Sequence, residues 1–236
     1  MSFSFAGGVR DSEGARGYLT VGSEVTGVDL RTGTVLWRRG RVGRPVAATP
    51  TYLITLDQDG LRYVLRVLDA TTGADTRRIE NFGMPDWATD AGTDPDAVVI
   101  TAAEAPTGIE VSWRVRRPYR GGAPPPHQIA MEAQRETVGS VVVDPTTGRI
   151  TSTTASASGP KEAGLSAPDL GPHATPSSEI IAFDRVGDRL FALKSQPRPD
   201  RSAQVALEAR NAHDGSTIWE ASLGETQAAR PSPRRQ

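Results

Sequence analysis

Apolar and polar residues alternate in short runs along this chain, and glycine, aspartate and proline separate the runs. "GYLTVG", "TYLITL" (51–56), "AVVITA" (97–102) and "RLFALK" (189–194) are four such runs. Others follow them: "GVDL" and "TVLWRR" first, then "RYVLRVLD". "EVSWRVRRPY" comes next with a later "GSVVVD", and "AQVALEARN" is last. A period of two, carried by Val, Ile, Leu, Tyr and Thr, marks β-strands with one face turned to a core. No stretch keeps the 3.6-residue period of a long amphipathic helix, so the pattern predicts an all-β chain. No apolar run approaches the ~18 residues of a membrane span.

The turns between the runs repeat. "DLRTGTVLW" holds Asp29, Thr32, Gly33 and Trp37, a D-x-x-T-G-x-x-x-W pattern. Asp69, Thr72 and Gly73 repeat it with Arg77 in the tryptophan's place, and Asp144, Thr147 and Gly148 repeat it with Ser152 there. Asn211, Asp214, Gly215 and Trp219 form the fourth copy. An Asp or Asn at the first place can accept bonds from backbone N–H groups two residues on. A glycine at the fifth place takes positive φ with no Cβ penalty. Each copy therefore predicts an antiparallel pair of strands around a tight turn, and Trp37 shares a strand face with Val35.

Four units follow, at about 15–45, 46–83, 96–155 and 179–223. Each reads as strand, turn, strand, motif turn, outer strand. The first two aspartates are 40 residues apart, which suits one four-stranded unit, whereas the later gaps of 75 and 67 require insertions. Residues 116–128 and 156–178 supply them, rich in Pro, Gly and Ser, and 84–97 is an acidic loop. Residues 224–236 read as a disordered tail.

Composition narrows the function. The chain has 236 residues, 27 Lys+Arg against 28 Asp+Glu, and a net charge of −1, so no global field draws nucleic acid or an anionic membrane. There is no cysteine, which excludes disulfides, thiolate catalysis and thiolate metal sites. Arginine greatly outnumbers lysine, the mark of a GC-rich genome such as an actinobacterial one. The N-terminal "MSFSFAGGVRDSEG" lacks the basic-then-apolar order of a secretory signal, so the compartment stays open.

The four copies resemble the PQQ-like repeat of quinoprotein-type β-propellers. "VTGVDLRTGTVLW" and "LEARNAHDGSTIW" match that repeat closely, while "LRVLDATTGADTR" and "VVVDPTTGRIT" match it in part. The resemblance implies four-stranded antiparallel blades, about four of them in a partial or open ring. It implies that Trp37 and Trp219 pack between neighbouring blades, and that Arg77 and Ser152 leave differently filled contacts. Rings in the family commonly have seven or eight blades and are often extracytoplasmic. An open arc would be covered by a protein partner, by self-association, or by further sequence.

Each candidate for chemistry has a plainer reading. Dehydrogenases of the resembling family hold the quinone at a full ring with calcium, acidic ligands and often a cysteine pair. Here the motif aspartates are assigned to turns, so no cofactor is expected, PQQ being the one left open. His127, His173 and His213 stand apart, without a second ligand at metal spacing. Asp86, Asp90, Asp94 and Asp96 do not keep the calcium-loop spacing. There is no G-x-S-x-G elbow. Two basic runs remain: "WRRGRVGR" (37–44) and "WRVRRPYR" (113–120), the latter offering Arg114, Arg116, Tyr119 and Arg120 as an interaction surface. The leading expectation is a non-enzymatic β-propeller scaffold that binds protein. A degenerate quinoprotein dehydrogenase and an exported sensor or envelope-assembly component are the alternatives.

Overall fold

The structure, a computed structural model, describes residues 8–59, 62–80, 82, 98–116, 136–156, 180–200 and 202–227. Its strands form four four-stranded antiparallel sheets, each ordered as the chain runs. Blade 1 holds β1 (Gly8–Arg10), β2 (Arg16–Val21), β3 (Glu24–Asp29) and β4 (Val35–Gly40). Blade 2 holds β5 (Arg44–Ala48), β6 (Tyr52–Asp59), β7 (Arg62–Asp69) and β8 (Asp75–Ile79). Blade 3 holds β9 (Val98–Ala105), β10 (Gly108–Arg116), β11 (Glu136–Val143) and β12 (Ile150–Ser156). Blade 4 holds β13 (Ile180–Val186), β14 (Arg189–Pro197), β15 (Ser202–Asn211) and β16 (Thr217–Gln227). The first strands of successive blades, β1 with β5 and β5 with β9, lie side by side. The architecture is all-β and propeller-like, with four blades and no helix among the described residues.

The core lies between sheets. Leu53, Leu68 and Ala70 of blade 2 pack with Tyr18, Val25 and Trp37 of blade 1. Ile54, Leu65 and Val67, on the other face of blade 2, pack with Ile109, Val111, Trp113 and Val141 of blade 3. Leu19, Val21 and Val28 of blade 1 pack with Phe191, Leu207 and Leu223 of blade 4. Strand alternation sends one set of apolar side chains to each neighbour. Burial of this kind stabilises by roughly 25 cal/mol per Å2 of apolar surface removed from water.

Three differences from the sequence reading stand out. The innermost strands β1, β5 and β13 were not among the runs singled out, and "AVVITA" proves to be an innermost strand rather than the counterpart of "TYLITL". The first blade therefore begins before residue 15 and the second at Arg44. Strand β16 runs to Gln227, into the stretch read as tail, because Gly224–Gln227 pair with Ser202–Val205 of β15. Finally, blade 4 packs on blade 1, so the first and last units are neighbours and not the two ends of an arc.

Candidate interaction surface

The motif residues build turns. Asp29 Oδ1 accepts from the N–H groups of Arg31 (2.8 Å) and Thr32 (3.0 Å). Asp69 Oδ1 does the same for Thr71 (3.0 Å) and Thr72 (2.8 Å), and Asp144 Oδ1 for Thr146 (2.8 Å) and Thr147 (3.3 Å). Asn211 Oδ1 accepts from His213 N–H at 2.8 Å. Gly33, Gly73, Gly148 and Gly215 then take φ of 76°, 67°, 71° and 72°. Each glycine N–H donates back to the carbonyl of its motif Asp or Asn at 2.8–2.9 Å. Where the first three turns have threonine at the fourth place, Asp214 substitutes, its Oδ1 accepting from Ser216 N–H at 2.8 Å. The Thr72 and Thr147 hydrogen bonds hold the carboxyls of Asp69 and Asp144 below the usual carboxylate range.

The tryptophan of one blade covers the motif glycine of the next. A Cβ on Gly73 would lie 2.6 Å from the Trp37 ring, and one on Gly33 2.6 Å from the Trp219 ring. Trp37 stacks at a tilt on Tyr18, with centroids 5.7 Å apart, and Trp219 on Phe191 at 5.9 Å. At the joint between blades 1 and 2, Trp37 Nε1–H (3.1 Å) and the Tyr18 hydroxyl (3.0 Å) both donate to the Ala70 carbonyl. Burial pushes the Tyr18 phenol well up from its usual pKa. Between blades 4 and 1, Arg189 Nη1 donates to the Leu30 (3.0 Å) and Arg31 (3.1 Å) carbonyls. Between blades 2 and 3 the place belongs to Arg77. Its Cδ would stand 3.1 Å from a Cβ on Gly148, and its Nε donates to the Thr146 carbonyl at 2.7 Å.

Blade 3 turns a different face away from blade 2. The position of Tyr18 and Phe191 is taken there by exposed Glu110, which pairs in register with Val142, itself paired with Ser152. The next row is Ser112 against Ser140, and the next Arg114 against Val138. Arg114 is half-buried on this polar face. Arg116 ends β10, its side chain is outside the described residues, and Tyr119 and Arg120 lie outside them altogether.

Charge is also placed three residues before the motif Asp or Asn, where the four blades carry Thr26, Arg66, Val141 and Glu208. Arg66 reaches Asp57 and Asp75, each at 2.9 Å. Glu208, with its side chain only 4% exposed, meets Arg210 at 2.7 Å and Lys194 at 2.9 Å, and its Oε1 accepts from the Thr217 hydroxyl at 2.6 Å. Burial pushes Glu208 up, but Thr217, Arg210 and Lys194 outweigh it and hold the carboxyl below its usual value. Both networks are internally charge-paired, though Arg66 Nε is buried without an acceptor among the described residues. Among the described residues, no three His, Asp or Glu side chains gather as a metal site.

An even number of antiparallel strands per blade sorts the turns between two ends. The motif turns and the turn after each first strand lie at one end. The turns between second and third strands, and the connections from blade to blade, lie at the other. Every stretch outside the described residues joins the described chain at this second end, including 83–97, 117–135 and 157–179. The only short blade-to-blade connection, 41–43, carries an unusual backbone. Arg41 has φ 60°, the one positive value at a non-glycine among the described residues, which costs roughly 1–2 kcal/mol. The connection is tightly held. Val42 is buried, its carbonyl accepts a short bond from the buried Thr55 hydroxyl, and a Cβ on Gly43 would lie 2.3 Å from the Leu56 carbonyl. Arg38, Arg39, Arg41 and Arg44 are all exposed around it.

No family model matches the chain, and no curated protein matches it. Solved structures are similar to it. BamB from Moraxella catarrhalis is 12% identical, with 89% of this chain and 59% of that one covered and a TM-score of 0.37. The dihydro-heme d1 dehydrogenase NirN is 8% identical over 95% of this chain and 39% of that one, at 0.36. The Dos1 propeller is 10% identical over 92% and 47%, at 0.37. The chain thus spans less than two thirds of the length of each. Likeness at this level transfers neither residue roles nor partners. Among the described residues no helix is long and apolar enough to cross a membrane.

Proposed function

We propose that the chain is a non-enzymatic propeller-type scaffold of PQQ-like repeats that holds a protein partner at the end where its blade-to-blade connections lie. The observation that carries this reading is the sorting of the two ends. At one, the motif Asp and Asn side chains are bonded to the backbone of their own turns, and the exposed arginines Arg31 and Arg149 stand apart. At the other lie the described ends of the longer connections and the clustered exposed arginines of 38–44. Length variation and clustered exposed charge at the same place are what a recognition surface carries on a rigid scaffold.

Site-specific photo-crosslinking in the native host tests it. A crosslinking residue at Glu24 or Arg44 should capture one discrete protein, and the same residue at Thr32 or Thr72 should not. Equal capture from both ends removes the assignment of the surface. Oxidation of an alcohol by the purified chain with PQQ and calcium removes the non-enzymatic reading and favours the degenerate quinoprotein.

A further inference from the structure

We infer that the connection between blades 1 and 2 is a binding site for an acidic peptide segment, read by Arg39, Arg41 and Arg44. This deepens the scaffold reading and rests on it.

Two independent observations converge here. The first is unspent charge. Among the described residues several other cations are neutralised: Arg66 by Asp57 and Asp75, Arg78 by Glu80, Arg198 by Glu225, Lys194 and Arg210 by Glu208, whereas exposed Arg31 and Arg149 are unpaired but stand singly in the sequence. Among the described residues Arg39, Arg41 and Arg44 enter no ion pair, though all three are exposed within six positions of one another. Arg38 is anchored instead, its Nη2 donating to the Ser222 carbonyl at 2.9 Å.

The second is the backbone. Arg41 occupies a left-handed conformation that favours glycine, and glycines stand nearby at 40 and 43. Buried Val42, the Thr55 bond to its carbonyl and the close approach of Gly43 to Leu56 fix the connection. The Arg41 side chain is therefore launched outward from a rigid base at a conformational cost, and strain kept at an exposed residue points to a use outside the fold. A preorganised base means less order to impose when a ligand arrives.

The chemistry of the surroundings selects the ligand. Guanidinium groups bind carboxylates through paired N–H donors. Glu24 pairs in register with Gly40, its Oε1 3.9 Å from where a Gly40 Cβ would be, so a carboxylate stands across from the residue between Arg39 and Arg41. This carboxylate borders the cations and would repel a continuous phosphate backbone passing across them. A short segment with separated Asp or Glu side chains reaches the arginines and avoids the border.

The test is fluorescence anisotropy on the full chain at low salt. The probes are a labelled Asp/Glu-containing dodecapeptide, a neutral peptide of equal length, a single-stranded DNA oligonucleotide and inorganic phosphate as competitor. The acidic peptide should bind best, and added salt should weaken it. Arg39→Ala and Arg44→Ala should each weaken binding roughly five-fold, one charge-assisted contact apiece. Arg41→Gly is the discriminating variant. It relieves the backbone and removes the guanidinium, so it should raise the melting temperature while weakening the peptide. Unchanged peptide binding by Arg41→Gly, or by the variant combining Arg39→Ala, Arg41→Gly and Arg44→Ala, overturns the inference, as does tighter binding of the oligonucleotide or full competition by phosphate at equal concentration. If the peptide fails while crosslinking from Glu24 still captures a protein, the scaffold reading stands and this inference alone falls.

Discussion

At the joint between blades 1 and 2 a tryptophan ring covers the motif glycine; between blades 2 and 3 an arginine does. Trp37 lies on Gly73 and gives its N–H to the carbonyl of Ala70, one residue past the motif aspartate. Arg77 lies on Gly148 with its aliphatic stem and gives Nε–H to the carbonyl of Thr146, two residues past its aspartate. Both side chains supply a flat or extended apolar surface and one N–H donor. These two joints share that pair of properties; at the joint between blades 4 and 1 the buried Trp219 Nε1–H has no acceptor among the described residues, so the apolar cover over the glycine is what all three have in common. They differ in how much apolar area they bury: Trp37 is 8% exposed, while Arg77 is largely open to water. The arginine stem covers the glycine as a snorkelling side chain does.

That contrast can be broken by experiment. Trp37→Ala should destabilise most, by about 3–5 kcal/mol in urea titration, since it empties the joint and leaves the Ala70 carbonyl short of a donor. Gly73→Ala should cost more than Gly148→Ala by thermal melting. Both pay the positive-φ strain of roughly 1–2 kcal/mol, but only at Gly73 does the new methyl meet a ring, at 2.6 Å, that cannot step aside. Equal losses would mean that the two joints are equally rigid. Arg77→Ala should cost about 1 kcal/mol, one hydrogen bond and some packing. A loss as large as that of Trp37→Ala would refute the ranking.

The smallest effect separates turns rather than joints. The Asp69 carboxyl is held below its usual 3.8 by hydrogen bonds from Thr72. A lowered folded value contributes stability above the unfolded pKa and loses it as pH falls through the folded one. Melting temperature should therefore drop as pH falls below the ordinary carboxylate value of 3.8, and Asp69→Asn should flatten part of that drop. An unchanged acid profile in Asp69→Asn would show that the turn bonds are not what titrates.

The turns were legible in the sequence because every bond in them is local: Asp29 reaches Thr32, and Gly33 reaches back to Asp29. The half-buried strands were legible because alternation is local too. What escaped depends on distance or brevity. Strand β1 is three residues long, and β5 contains Pro45, so neither shows a pattern. The contact of Trp219 with Gly33 joins residues far apart in the chain, and no local periodicity encodes it. Of the two basic runs, the sequence alone points to 113–120 as the interaction surface. Placement separates them: 110–116 is strand and puts Arg114 half-buried on a sheet face, whereas 41–43 is a connection and leaves its arginines in water.

The clasp of Trp219 on Gly33 has a consequence for how the chain could be rewired. It places the first and last strands in adjacent blades, with Gly8 and Gln227 at the same end of the molecule. The covalent order of the blades is then only one way to string them. A circular permutant that opens the chain between Ser156 and Ile180 and links the present termini would keep all three apolar joints. Its blades would run 4-1-2-3, in the order in which they touch.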